Sequence, residues 1–226
     1  MTKIDESTTL AMVVDAFPHL TRELQRRDLD FCCGGQRTLA DACAEAGLDP
    51  ATTVAELAEL SEVDGTPEIA EWTTMSAVEL VDHIESTHHK FLWEDLPRVT
   101  ALAEKIVMVH GERHPELAEI ARCFAEVRAD LEPHLTKEER VLFPAIRELA
   151  DSSEMPTFNF GSLQNPISVM MSEHDTVGDL LTELRRLTND YTTPADGCAT
   201  YAACFAGMEE IEADTHLHVH KENNVL

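Results

Sequence analysis

Histidine and glutamate recur in this chain at a spacing suited to holding metal ions. His134-Leu-Thr-Lys137-Glu138-Glu-Arg-Val141-Leu142 matches His218-Val-His-Lys221-Glu222-Asn-Asn-Val225-Leu226 as H-x-x-K-E-x-x-V-L. His89 stands 45 residues before His134 and His174 stands 44 before His218, each with a leucine seven residues on, Leu96 and Leu181. Residues four apart on a helix lie one above the other, so His134 and Glu138 face one site, as do His218 and Glu222. At about 1.5 Å of rise per residue, the 44 or 45 intervening residues allow a helix up, a loop and a helix back to the same height. Two helical hairpins would each supply one His from the first helix and H-x-x-x-E from the second. Six N/O ligands of this mix suit two iron or manganese ions better than structural zinc, which favours four ligands and often thiolate. A carboxylate from each hairpin can bridge the two metals while each metal takes two imidazoles.

The other histidines are weighed by the same register. His216 and His220 are also four apart and offer a rival face, but only His218 has Glu at the fourth position on. They are expected to face solvent or to sit behind the ligands. His88 points about 100° away from His89 and is expected to support rather than ligate. His19, His83, His110 and His114 have no matching partner, and Glu139 is one residue out of register with Glu138. Any one histidine alone reads as an ordinary core or surface residue; the duplicated set of six does not.

The elements that must position these residues are helical. Gly and Pro number only 9 and 10 and aromatics make up 5%, whereas Ala, Leu and Glu are abundant. From Ser76, whose partner Glu79 completes a capping box, one apolar stripe runs through Val78, Leu80, Val81 and Ile84 to Leu92 and Leu96. A second helix is expected from about Pro115 to Ile146, and a third from near Pro166 to Leu187. A fourth starts at Ala199, and the polar stretches Asp151–Gly161 and Tyr191–Gly197 connect them. The expected fold is all-α, a four-helix bundle over 76–226. A small helical domain over 1–65 precedes it, with apolar positions Leu10, Val13, Val14, Phe17, Leu20, Leu39, Cys43, Ala46, Val54, Leu57 and Leu60. Residues 66–75 read as a linker.

With 17 Lys+Arg against 43 Asp+Glu, the formal charge of −26 repels phosphate backbones and anionic lipid, which excludes nucleic-acid and membrane-surface partners. Hydrophobic residues at 43% are enough for a packed core. No run reaches the roughly 18 apolar residues of a membrane span, and the first residues lack the apolar core of a signal peptide. Six cysteines are too sparse for a disulfide scaffold, so a reducing, cytoplasmic setting is expected. Cys123, Cys198 and Cys204 lie on helical apolar faces and read as core. Cys32 and Cys33 are adjacent, and such a pair rarely bridges to itself. The pair reads either as one packed and one exposed cysteine, or as a thiolate beside Gly34 and Gly35 able to bind metal, accept nitric oxide or pair with an outside thiol.

These residues resemble the hemerythrin-like domain. The run Asp30-Phe31-Cys32-Cys33-Gly34-Gly35 with Thr38-Leu39, the run from Asn165-Pro166 through Glu173-His174-Asp175, and Lys137-Glu138-Glu139-Arg140-Val141-Leu142-Phe143-Pro144 together resemble the Repair of Iron Centers family of iron–sulfur cluster repair proteins. The resemblance implies a bacterial cytoplasmic protein with two non-haem iron ions, oxo- or hydroxo-bridged and further bridged by Glu138 and Glu222. It implies repair of iron–sulfur clusters damaged by nitric oxide or peroxide, through iron donation or nitric oxide chemistry, with damaged or apo iron–sulfur proteins as partners. A small cysteine-bearing front domain could also mediate a homodimer. An oxygen carrier or sensor and a metal-free interaction protein are the competing functions. The oxygen carriers place a further His four residues beyond the third-helix ligand, where this chain has Gly178; Trp93 stands four beyond His89. The second repeat reaches only Leu226, and a fourth helix frayed at Glu222 would weaken that ligand, because a helix terminus lacks its backbone partners.

Overall fold

The computed structural model describes residues 3–63 and 70–226. Their regular secondary structure is helical, and the only β pairing among them is two isolated bridges, Thr9–Thr38 and Phe158–Gly161. The chain divides into two compact units.

One unit comprises the described residues up to Leu80 together with His216–Leu226. It contains α1 (Leu10–Ala16), α2 (Thr21–Arg26), α3 (Leu39–Ala46) and α4 (Pro50–Val63). Thr9 and Thr38 cap α1 and α3 by accepting from the backbone N–H of Met12 and Asp41, which satisfies donors the first turn leaves over. Leu10, Val13, Val14, Phe17, Leu20, Leu39, Cys43 and Leu57 are buried, whereas Ala46 and Leu60 are exposed. The same core takes in Phe31 and, from the other end of the sequence, Val219. Each large apolar side chain removed from water this way contributes about 1.5–3 kcal/mol. The expected linker falls partly outside the described residues, at 66–69. The part that is described is fastened down: Ala70 is buried and donates its N–H to the Asp15 carbonyl at 3.0 Å, and the Trp72 indole donates to the Asp15 carboxylate at 3.1 Å. The capping box at Ser76 is present, with Ser76 N–H donating to Glu79 at 2.8 Å and Glu79 N–H to the Ser76 hydroxyl at 3.3 Å.

The other unit, Val81–Thr215, is the body of the bundle. α5 (Ala77–Ile84) leads through a π turn, Glu85–His89, into α6 (Lys90–His110). α7 (Leu117–Lys137) leads through a second π turn, Glu138–Leu142, into α8 (Phe143–Asp151). α9 spans Gln164–Leu187 and α10 spans Ala199–Asn224. α6, α7, α9 and α10 share one core, in which Leu96, Phe124, Leu135, Leu181 and Phe205 are among the buried residues. The spacing alone predicts continuous helices at both π turns. The second has a cause in the sequence: Pro144 has no N–H to continue the α pattern, and the Phe143 N–H reaches back five residues to the Glu138 carbonyl. The first closes with the Lys90 N–H on the Glu85 carbonyl and has no such proline. Cys123 and Cys204 are core residues as expected, but Cys198 is exposed, because it precedes α10 instead of lying on its apolar face.

Candidate metal centre

In the bundle unit, four of the expected ligands converge. His89 closes the first π turn, His134 lies in the last turn of α7, Glu138 opens the second π turn, and His174 lies midway along α9. All four are buried, and Glu138 is 0% exposed. The Glu138 carboxylate lies 3.1 Å from His134 Nε2, 3.4 Å from His89 Nε2 and 4.0 Å from His174 Nε2. The Nε2 atoms of His134 and His174 are 3.1 Å apart. The four-residue stacking survives the π turn, because the Glu138 N–H still bonds the His134 carbonyl before the extra residue enters. A π turn at a ligand position is common where a helix has been adapted to a site.

Two further carboxylates decide which ring nitrogens face inward. Glu139 lies 3.0 Å from His89 Nδ1 and also accepts from the Trp93 indole at 2.8 Å. Glu173 lies 3.0 Å from His134 Nδ1 and takes Lys137 on its other oxygen. A carboxylate only accepts, so both rings donate Nδ1–H outward, and their uncharged forms aim Nε2 lone pairs at Glu138. Lone pairs facing a carboxylate across about 3 Å repel unless a cation lies among them, so this donor set fits metal. Burial works against the charge of Glu173, but Lys137 and His134 outweigh it and hold the carboxyl below its ordinary value. Phe143 packs on the His89 ring at 5.3 Å between centroids. His88 is also buried, and it binds Asp214 at 2.8 Å instead of facing the ligands. Sequence spacing missed these partners. Glu139 stands out in the sequence only as one residue out of register with Glu138, and the one available signal for Glu173 is Lys137, which needs an anion.

In the first unit, the last turns of α10 hold the remaining pair. His218 Nε2 lies 3.0 Å from the Glu222 carboxylate, and both side chains are nearly buried. α10 is not frayed at Glu222. α10 continues to Asn224, whose amide donates to the Cys32 carbonyl at 3.0 Å and the Phe31 carbonyl at 3.4 Å. Lys221 lies over the Trp72 ring at 4.4 Å. His220 is not solvent-facing: it is 0% exposed, with Nε2 3.0 Å from Asp15. His216 is half-buried and binds Gln25.

The Cys32–Cys33 turn packs against this helix end. Cys32 is buried and Cys33 exposed, with sulfurs 3.9 Å apart and not bonded. Asp30 accepts from the backbone N–H of both, at 3.1 and 3.0 Å, and from the Cys32 thiol at 3.1 Å. The neighbouring Cys33 thiol and burial together push the Cys32 thiol well above its ordinary pKa. Ligand atoms of Asp30, Cys32 and Cys33 all lie within 4.8 Å of one another. Gly35 is needed for the close approach, since a Cβ there would meet Asn224 at 2.4 Å and the Phe31 carbonyl at 2.6 Å. Gly178, one turn beyond His174, has the opposite environment: a Cβ there would meet nothing within 4 Å.

Known proteins share this organisation. Residues 80–226 match the hemerythrin HHE cation binding domain, and residues 6–61 match the ScdA_N domain, described as a domain of unknown function (DUF542). A Citrobacter koseri protein named iron-sulfur cluster repair protein YtfE is 36% identical over 93% of this chain and 90% of its own length. Its namesake in Enterobacter sp. is 35% identical over 96% of this chain and 93% of its own. A Haemophilus influenzae protein named probable iron-sulfur cluster repair protein is 34% identical over the same shares, 96% and 93%.

Proposed function

This chain belongs to the hemerythrin HHE family, and from that footing we propose that it is a non-haem di-iron protein that repairs damaged iron–sulfur clusters. The observation that carries the reading is the buried Glu138 carboxylate facing inward-turned imidazole nitrogens whose other nitrogens are tied to Glu139 and Glu173. The residues that would hold the two irons are His89, His134, Glu138, His174, His218 and Glu222, with Glu138 and Glu222 bridging. The duplicated register and the extent of the family match, 80–226, support counting the second pair with the first. When bound, the irons supply a redox centre for nitric oxide and a source of exchangeable metal.

The chain's own residues prepare that site. Glu139 and Glu173 hold protons at Nδ1 of His89 and His134, and Phe143 covers the His89 ring. Gly178 leaves space where an oxygen carrier would put another imidazole, which favours an accessible, labile centre over reversible oxygen carriage. Damaged or apo iron–sulfur proteins are the proposed clients and nitric oxide the proposed small ligand, in the cytoplasm, with self-association through the Cys32–Cys33 domain. Among the described residues no helix is long and apolar enough to cross a membrane.

The test is metal analysis joined to an activity. Protein from iron-replete cells is expected to carry two irons per chain and to restore an enzyme whose cluster nitric oxide has destroyed. His218→Ala is expected to lose iron and restoration together, whereas His216→Ala keeps both. A single zinc, or an iron-loaded protein that restores nothing, would overturn the proposal.

A further inference from the structure

A second constellation lies in the bundle unit, formed by the end of α6 and the start of α10. Cys198 immediately precedes α10, and its carbonyl accepts the first helical bond, from the Ala202 N–H at 3.0 Å. Its thiol is exposed and lies 3.2 Å from His110 Nε2. His110 is buried, and the Arg113 guanidinium donates to its Nδ1 at 3.1 Å, so the ring presents Nε2–H to the sulfur. Arg113 in turn pairs with Asp196 at 3.1 Å. His114 sits between Glu116 at 2.9 Å and Asp196 at 3.0 Å. Tyr201 packs its ring on both histidines. These groups complete the titratable and charged surroundings of the pair.

Two features therefore favour sulfur as an anion: a buried imidazole fixed as a donor, and the positive end of a 26-residue helix, where the first-turn backbone N–H groups lie. The nucleophile is open to solvent. The other bundle cysteines, Cys123 and Cys204, are buried, so neither is placed to resolve a disulfide at Cys198.

We propose that Cys198, positioned by His110, is a thiol–disulfide exchange site that takes a small disulfide and holds half of it as a mixed disulfide. In this step the Cys198 thiolate attacks one sulfur of the disulfide. A new S–S bond forms, the original S–S bond breaks, and its electron pair leaves with the departing thiolate, which takes a proton from water. No separate oxidant is consumed, and attack by another thiol reverses the step. The net charge of −26 favours neutral or cationic disulfides over anionic ones.

Hydrogen bonding from His110, followed by that from the Tyr201 and Thr200 N–H groups, lowers the Cys198 thiol from 9.0 to about 7. At neutral pH this raises the thiolate fraction about 50-fold, while the weaker nucleophilicity of a less basic thiolate removes roughly six- to tenfold, leaving a net gain of about five- to eightfold.

The experiment treats the full chain with 2-hydroxyethyl disulfide for short intervals across a pH series, quantifying each cysteine by peptide mass spectrometry. Cys198 is expected to be modified with a midpoint near pH 7, ahead of the exposed Cys33, and to be released by added thiol. His110→Gln is expected to move the Cys198 midpoint toward 9 while its reaction at high pH continues. A wild-type midpoint near 9, or modification no faster than an ordinary exposed thiol, would overturn the proposal whether or not the variant folds. An unmoved midpoint in a folded His110→Gln protein would remove the role given to His110.

Discussion

Glu173 Oε2 lies 3.0 Å from His134 Nδ1 while Oε1 takes Lys137, so one carboxylate joins the Lys and the His of the H-x-x-K-E motif. This accounts for the lysine in the first copy of the motif, which stabilises the anion that orients His134; in the second copy Lys221 lies over the Trp72 ring instead. Carboxylates behind a ligating imidazole fix its tautomer and increase its basicity. Glu173→Ala and Glu139→Ala are each expected to weaken iron binding about 10- to 100-fold while the helical content is kept. Competition with a calibrated chelator measures this. Undiminished affinity in both variants would show that backbone geometry alone aims the rings.

Gly178 gives an expectation of two kinds. A Cβ there meets nothing, and glycine in a helix interior costs about 0.5–1 kcal/mol relative to alanine, so Gly178→Ala is expected to raise stability by up to that amount. Gly178→His puts an imidazole on the His174 face and is expected to slow iron loss to a chelator. Denaturant titration of the first variant and the iron-release time course of the second separate helix propensity from ligand number. A destabilised alanine variant would mean that the space is needed for something else.

Why the repeat was readable and its surroundings were not follows from where each is encoded. His134 and Glu138 are joined by a local helical bond that fixes their relation, so their spacing carries it. Glu139 and Glu173 reach their histidines from other helices, a relation no spacing records. Pro144 was a local signal for the second π turn, whereas nothing local marks the first. The sequence leaves His220 open between facing solvent and sitting behind the ligands, because its partner Asp15 is 205 positions away. Cys198 followed an apolar pattern on paper, but it stands one residue before α10 begins.

His114 makes stability depend on pH. Hydrogen bonds that its ring donates to Glu116 and then to Asp196 raise its folded pKa above the ordinary 6.5. A group whose pKa is raised on folding stabilises most below its unfolded value and loses that contribution as pH rises through the folded value. The melting temperature of wild type is therefore expected to exceed that of His114→Gln by more at about pH 6 than at about pH 8.5. A gap that is constant or widens with pH would contradict this pairing.

The first unit is assembled from two stretches of sequence separated by the whole of Val81–Thr215. During synthesis at about 5–20 residues per second, the 135 intervening residues take roughly 7–27 s to appear. Throughout that interval the core around Leu10 and Phe31 lacks Val219, Asp15 lacks His220, and the carbonyls of Phe31 and Cys32 lack Asn224. The proposed ligand pair His218 and Glu222 belongs to that same late segment. The nascent chain therefore carries the early four-residue cluster before it carries the late pair, so the closing of the front unit and the completion of the proposed ligand set wait on the same last stretch of translation.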